Sequence, residues 1–200
     1  MKKSFKNIII ALALLLTILC TVAQSWGQSL SMTPAFGAGR TQVRLYVSYF
    51  CPPCRALEPQ AAPVLESLVR HNVITLTFVD VPSNKTSVEY ASAFLKAVYG
   101  KQDIGTAMAA RKLLISAAEN GIRERSVLES YLKGRGVVLV KTYDPAYTFR
   151  VYSQYMRQDR VTATPTCVIV DAAGRKTTLN GGREILDALN KLGAVRVAGK

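Results

Sequence analysis

Cys51-Pro52-Pro53-Cys54 sets two thiols close enough along the chain for one to resolve a mixed disulfide formed by the other. The run before them, Val43 to Phe50, is rich in β-branched and aromatic residues, and Arg55 to Arg70 carries apolar residues at helical spacing. The dithiol therefore falls where a strand turns into a helix. Proline is favoured at a first helical position, since its missing N–H would have had no intrahelical partner. Cys51 then stands at a helix N-terminus, where the dipole and the free N–H groups favour a thiolate, the form that attacks disulfides. Cys54, one turn in, is partly buried and held for intramolecular attack. This is the setting of a redox dithiol rather than a structural pair. Zinc is the competing chemistry, but a tetrahedral site needs a second Cys or His pair, and beyond the apolar N-terminal segment that holds Cys20 only Cys167 and His71 remain for it.

The two prolines tune the pair. Pro53 has no N–H to offer the Cys51 thiolate, and hydrogen bonds to charged groups contribute about 1.5 to 3 kcal/mol, so the Cys51 pKa is expected about one unit or more above that with a donor-bearing residue. Glu58, one helical turn beyond Cys54, is placed either to relay protons beneath the dithiol or to lie in solvent. Cys167 reads as a buried core thiol, with a third exchanging thiol as the alternative. His71 is the only histidine and sits at a helix C-terminus, so triad hydrolysis and multi-histidine metal chemistry lose support. Tyr147, Val151 and Tyr155 have core-like helical spacing.

Compartment follows from the N-terminus. Lys2, Lys3 and Lys6 precede an almost wholly apolar stretch, Ile8 to Ala23, with a small-residue exit, and residues 1–25 read as a secretory signal peptide or, uncleaved, as a membrane anchor. Leu19 is bulky where a lipid attachment site needs a small residue, which argues against lipidation at Cys20. The expected location is periplasmic or otherwise extracytoplasmic. The net charge of +13 falls to about +10 without the signal lysines, and its scatter along the chain indicates a cationic surface with no nucleic-acid motif.

Residues 26–40, rich in Gly, Ser and Thr, read as a flexible lead, with folded structure starting near Thr41. The strand and helix around the dithiol are followed by an alternating β run, Val73 to Val79, which makes a βαβ unit with parallel strands. Helical patterns then cover Val88 to Tyr99, Ile104 to Glu119, Arg123 to Lys133 and Asp144 to Met156. Short strands return at Thr166 to Val170 and Arg175 to Leu179, and a last helix covers Arg183 to Leu192.

Three features together carry a resemblance: Phe50-Cys51-Pro52-Pro53-Cys54 at a strand end, Thr164-Pro165-Thr166 before a later strand, and the order β-α-β then β-β-α. They resemble the thioredoxin fold, an α/β class, and the helical insertion with the export signal is similar to DsbA-like thiol-disulfide oxidoreductases. The likeness assigns 41–85 and 161–195 to the thioredoxin-fold domain and 86–160 to the insertion. It implies Cys51 as the attacking thiol, Cys54 as the resolving thiol, and Pro165 as a cis proline facing them. Thr164, Pro165 and Phe50 would then hold the substrate chain, with Thr164 pairing it as an added strand.

The resemblance also supports a relay role for Glu58. Two departures stand against the strongly oxidising pattern: Pro53 where those relatives have His, and Leu45 where many thioredoxin-like proteins keep a buried acid. What it implies is a monomeric oxidase acting on thiols of exported proteins, reoxidised by a quinone-linked membrane partner, with no organic cofactor and no metal. A reductase or isomerase, for instance in cytochrome c maturation, and a redox-inert peptide-binding module or chaperone are the alternatives.

Overall fold

The computed structural model describes residues 33–101 and 103–198. The expected signal peptide or anchor, Cys20 and the first part of the lead lie outside them. Among the described residues no helix is long and apolar enough to cross a membrane.

β1 (Thr41–Val47) buries Val43, Leu45, Tyr46 and Val47, and ends just ahead of the dithiol. Helix α1 (Pro52–Arg70) follows, with Leu57, Ala61, Leu65 and Leu68 along its buried stripe. Pro59 and Pro63 lie inside this helix on its exposed side, and each removes one backbone N–H from the helical ladder. β2 (Ile74–Asp80) runs parallel to β1, with Leu45 opposite Phe78 and Val47 opposite Asp80.

Four helices come next: α2 (Lys85–Val98), α3 (Ile104–Glu119), α4 (Arg125–Lys133) and α5 (Ala146–Gln158). Asn84 and Ser87 close a reciprocal capping box at the start of α2, and Asp103 accepts from the Thr106 N–H at the start of α3. β3 (Thr166–Val170) and β4 (Lys176–Asn180) then complete a sheet of order β2-β1-β3-β4, β3 being antiparallel to both neighbours, before α6 (Gly182–Ala198) packs on α1. The order β-α-β, four helices, β-β-α is the expected thioredoxin fold with a helical insertion. One core joins the two parts: Phe94, Leu114, Leu128 and Tyr152 of the insertion share it with Leu45, Phe78 and Val168 of the sheet.

Two expectations are corrected. The lead is not flexible up to Arg40: Phe36 is fully buried and exchanges both backbone hydrogen bonds with Leu76 at 2.8 Å. Burying such a ring stabilises by about 1.5–3 kcal/mol. The glycines that suggested mobility instead permit contact. A Cβ on Gly37 would come within 2.5 Å of the Ile74 carbonyl, and one on Gly39 within 2.3 Å of the Val73 and Ile74 backbone. The second correction concerns α5, where Thr148 and Tyr152 are buried while Tyr147 is 45% exposed. Aromatic residues lie on more than one side of this helix, and the stripe that faces the core is offset by one residue from the 147, 151 and 155 spacing.

Candidate functional site

Ser48, Tyr49 and Phe50 carry the chain from β1 to α1, and the Cys51 N–H closes the turn onto the Ser48 carbonyl at 3.2 Å. Cys51 is the N-cap of α1, in extended conformation, with the prolines occupying the first two helical positions. The first N–H of the helix therefore belongs to Cys54. Cys51 is half-buried and its thiol donates to the Thr164 carbonyl at 3.3 Å. Burial opposes ionisation of this thiol. The Cys54 thiol, the Thr164 side chain, the Cys54 backbone N–H and the charge of Arg55 together outweigh it, and the Cys51 pKa lies below the ordinary thiol value. Cys54 is 4% exposed, and burial, with the neighbouring Cys51, pushes its pKa up to about 12. Both are free thiols, so this is the reduced form.

The Thr164–Pro165 peptide is cis. Pro165 is buried and its carbonyl accepts from the Gly181 N–H, which fixes the start of β3 against the start of α6. Thr164, one residue earlier, is left facing Cys51. Phe50 packs edge-on to Tyr90 of α2, with ring centroids 4.9 Å apart. The structure thus gathers Cys51, Cys54, Pro52, Pro53, Phe50, Thr164 and Pro165 at one end of the sheet.

Glu58 is neither a solvated helix residue nor a free carboxylate beside the sulfurs. Both its oxygens accept from Arg111 of α3, at 2.7 and 3.0 Å. Arg111 is 2% exposed, lies 4.2 Å over the Phe78 ring, and reaches Asp80 at 3.4 Å. Asp80 also accepts from the Tyr49 hydroxyl at 3.3 Å. Burial pushes the Asp80 carboxyl up to about 6, against the pull of Arg111 and Tyr49. Leu45 is apolar and buried as expected, but a buried acid is nonetheless present, supplied by the end of β2 rather than by β1.

The strand expected over Val73 to Val79 stops one residue short of Asp80, and nothing in the helical pattern of Ile104 to Glu119 assigned Arg111 a role. A signal existed for the second: Arg111 interrupts the apolar stripe Ala107, Ala110, Leu114, Ala117 of an otherwise amphipathic helix, and a charge there needs a buried partner. Cys167 sits in mid-sheet opposite Leu45 and Leu179, fully buried, and burial pushes its pKa up to about 12. Core packing accounts for it.

The thioredoxin family profile matches residues 32–188. The chain belongs to the thioredoxin family. With both thiols of the dithiol in place, it is a thiol-disulfide oxidoreductase of that family. Among solved structures it is similar to a periplasmic thioredoxin-like protein from Salmonella enterica serovar Typhimurium, at 21% identity, covering 81% of this chain and 91% of that one, with a TM-score of 0.59. The catalytic domain of Proteus mirabilis ScsC is 17% identical, over 88% of this chain and 97% of that one, with a TM-score of 0.61. Pseudomonas aeruginosa DsbA2 is 19% identical, over 80% and 93%, with a TM-score of 0.53. These likenesses place the helical insertion within the same fold. No match is found among curated proteins.

Proposed function

We propose that the protein is an exported dithiol oxidase that introduces disulfides into newly exported proteins, in the manner of DsbA-like enzymes. The observation that carries this reading is the split between the two thiols, with Cys51 below the ordinary value and Cys54 at about 12. A stabilised Cys51 thiolate favours the reduced protein, and a dithiol whose reduced form is stabilised is an oxidant.

In the oxidised form a substrate thiolate attacks Cys51 Sγ, the Cys51–Cys54 bond breaks, and Cys54 leaves with the electron pair and takes up a proton. A second substrate thiolate then attacks the substrate sulfur of the mixed disulfide and releases Cys51 as a thiolate. The substrate loses two electrons and the protein gains them. A quinone-linked disulfide donor in the membrane takes those electrons back, and the cycle needs no organic cofactor.

The Thr164 backbone, beside Cys51, pairs with the substrate chain as an added strand while Pro165 and Phe50 flank it. Glu58 acts as a positioning residue through Arg111 rather than as a proton carrier between the sulfurs. The basic, apolar N-terminus and the likeness to a periplasmic protein support an extracytoplasmic location.

Trapping tests the reading. In Cys54→Ala the Cys51 thiolate can still attack a disulfide of an exported protein and release one of its sulfurs as a thiolate, but Cys54 is no longer there to displace the other, so mixed disulfides with Cys51 should accumulate and disappear on reduction. A redox-inert binding module would accumulate none.

A further inference from the structure

We propose that Arg123, in the loop between α3 and α4, is a specificity-determining residue that selects substrate cysteines with an acidic neighbour. The inference rests on the dithiol exchange proposed above and adds to it a preference in substrate charge. The Arg123 guanidinium lies 4.7 Å from the centroid of Phe50, the residue immediately before Cys51. The placement is built rather than incidental. Tyr90 donates its hydroxyl to the Ile122 carbonyl at 2.7 Å, tying down the residue next to Arg123, while its ring packs edge-on to Phe50. A cation held over an aromatic face keeps its N–H groups free at the edge for a carboxylate.

Arg123 forms no ion pair among the described residues: of the acids that line the same hollow, Glu89 and Glu129 are taken by Arg125, at 3.6 and 2.9 Å, and Glu124, next in the chain, is exposed at the N-cap of α4. A second cation, Arg55, acts directly on Cys51 and helps to lower its pKa. Arg123 over Phe50 and Arg55 beside Cys51 thus give the rim of the dithiol two cations, set against the exposed carboxylate of Glu124. A substrate thiol flanked by Asp or Glu meets attraction there, and one flanked by Lys or Arg meets repulsion.

The test uses the oxidised full-length protein and short single-cysteine peptides with Glu, Gln or Lys on both sides of the cysteine, with the rate of mixed-disulfide formation as readout. Exposed charge pairs of this kind should make the Glu peptide react roughly 3- to 10-fold faster than the Lys peptide at low salt, a ratio that shrinks as salt is added. Arg123→Ala should reduce that ratio and Arg123→Glu should invert it. Arg135→Glu, which changes the net charge equally but sits over Tyr131 in another part of the insertion, should leave it in place.

A ratio near one in the wild type overturns the assignment. So does a ratio that Arg123→Glu does not invert, or one that Arg135→Glu alters as much. The Gln peptide with wild-type protein tests the dithiol reading by itself. Absence of exchange there removes both readings, whereas exchange with all three peptides and no Arg123-dependent ratio removes only this one.

Discussion

At Cys51 the balance is between burial, which disfavours the thiolate, and a small set of donors and one cation that favour it. Pro53 weakens the favourable side by withholding an N–H at the second helical position. Pro53→His restores a donor, so the Cys51 pKa should fall by about one unit or more, read from thiolate absorbance against pH, and the reduction potential should rise with it. No fall in pKa would remove the proline from the account. In the reduced wild-type protein Cys54 and Cys167 should not titrate below the ordinary thiol range, since burial holds both near 12. The dithiol was legible in the sequence because its chemistry is local: two cysteines one helical turn apart, with prolines marking the helix start. Asp80, Arg111 and Arg123 were not, because folding brings each of them from a distant segment to its partners.

Besides its apolar packing, helix α3 is tied to the sheet and to α1 by one buried cation, Arg111. Arg111→Met leaves Glu58 and Asp80 as unpaired carboxylates in the interior, and the cost should be about 3–5 kcal/mol in urea unfolding. Converting Glu58 to Gln and Asp80 to Asn in the same chain should recover much of the loss, because the penalty is that of uncompensated charge.

A second tie joins the end of α5 to β1 and β4, where Asp159 accepts from Arg44 at 2.7 Å, from Lys176 at 2.7 Å and from the Tyr46 hydroxyl. Burial works against this carboxylate, but those three partners hold its pKa down at about 2. A depressed carboxyl contributes stability above its unfolded pKa and loses it as pH falls, so wild-type stability should drop between about pH 4 and about pH 2. Asp159→Asn should be less stable at neutral pH and flatter across that acid window, as measured by urea midpoints against pH.

Element types were largely readable from periodicity. The lead before β1 was misread because glycine required for close backbone approach looks, in sequence, like glycine placed for flexibility. The buried face of α5 was misread because its aromatic residues lie on more than one side.

As a whole, the molecule puts a helical insertion over one end of a four-stranded sheet and draws both into a single core, with the dithiol at the edge where they meet. The family and its exchange chemistry follow from the fold and the paired thiols. The direction of electron flow depends on a difference in stability between the oxidised and reduced forms, and no residue pattern writes that down. Equilibration of the Cys51–Cys54 pair in glutathione buffers measures it directly. An oxidase with a stabilised Cys51 thiolate should have a reduction potential between roughly −200 and −120 mV, toward the lower end because Pro53 withholds a donor. A potential at or below about −270 mV, the thioredoxin range, would contradict the account and make the protein a reductase.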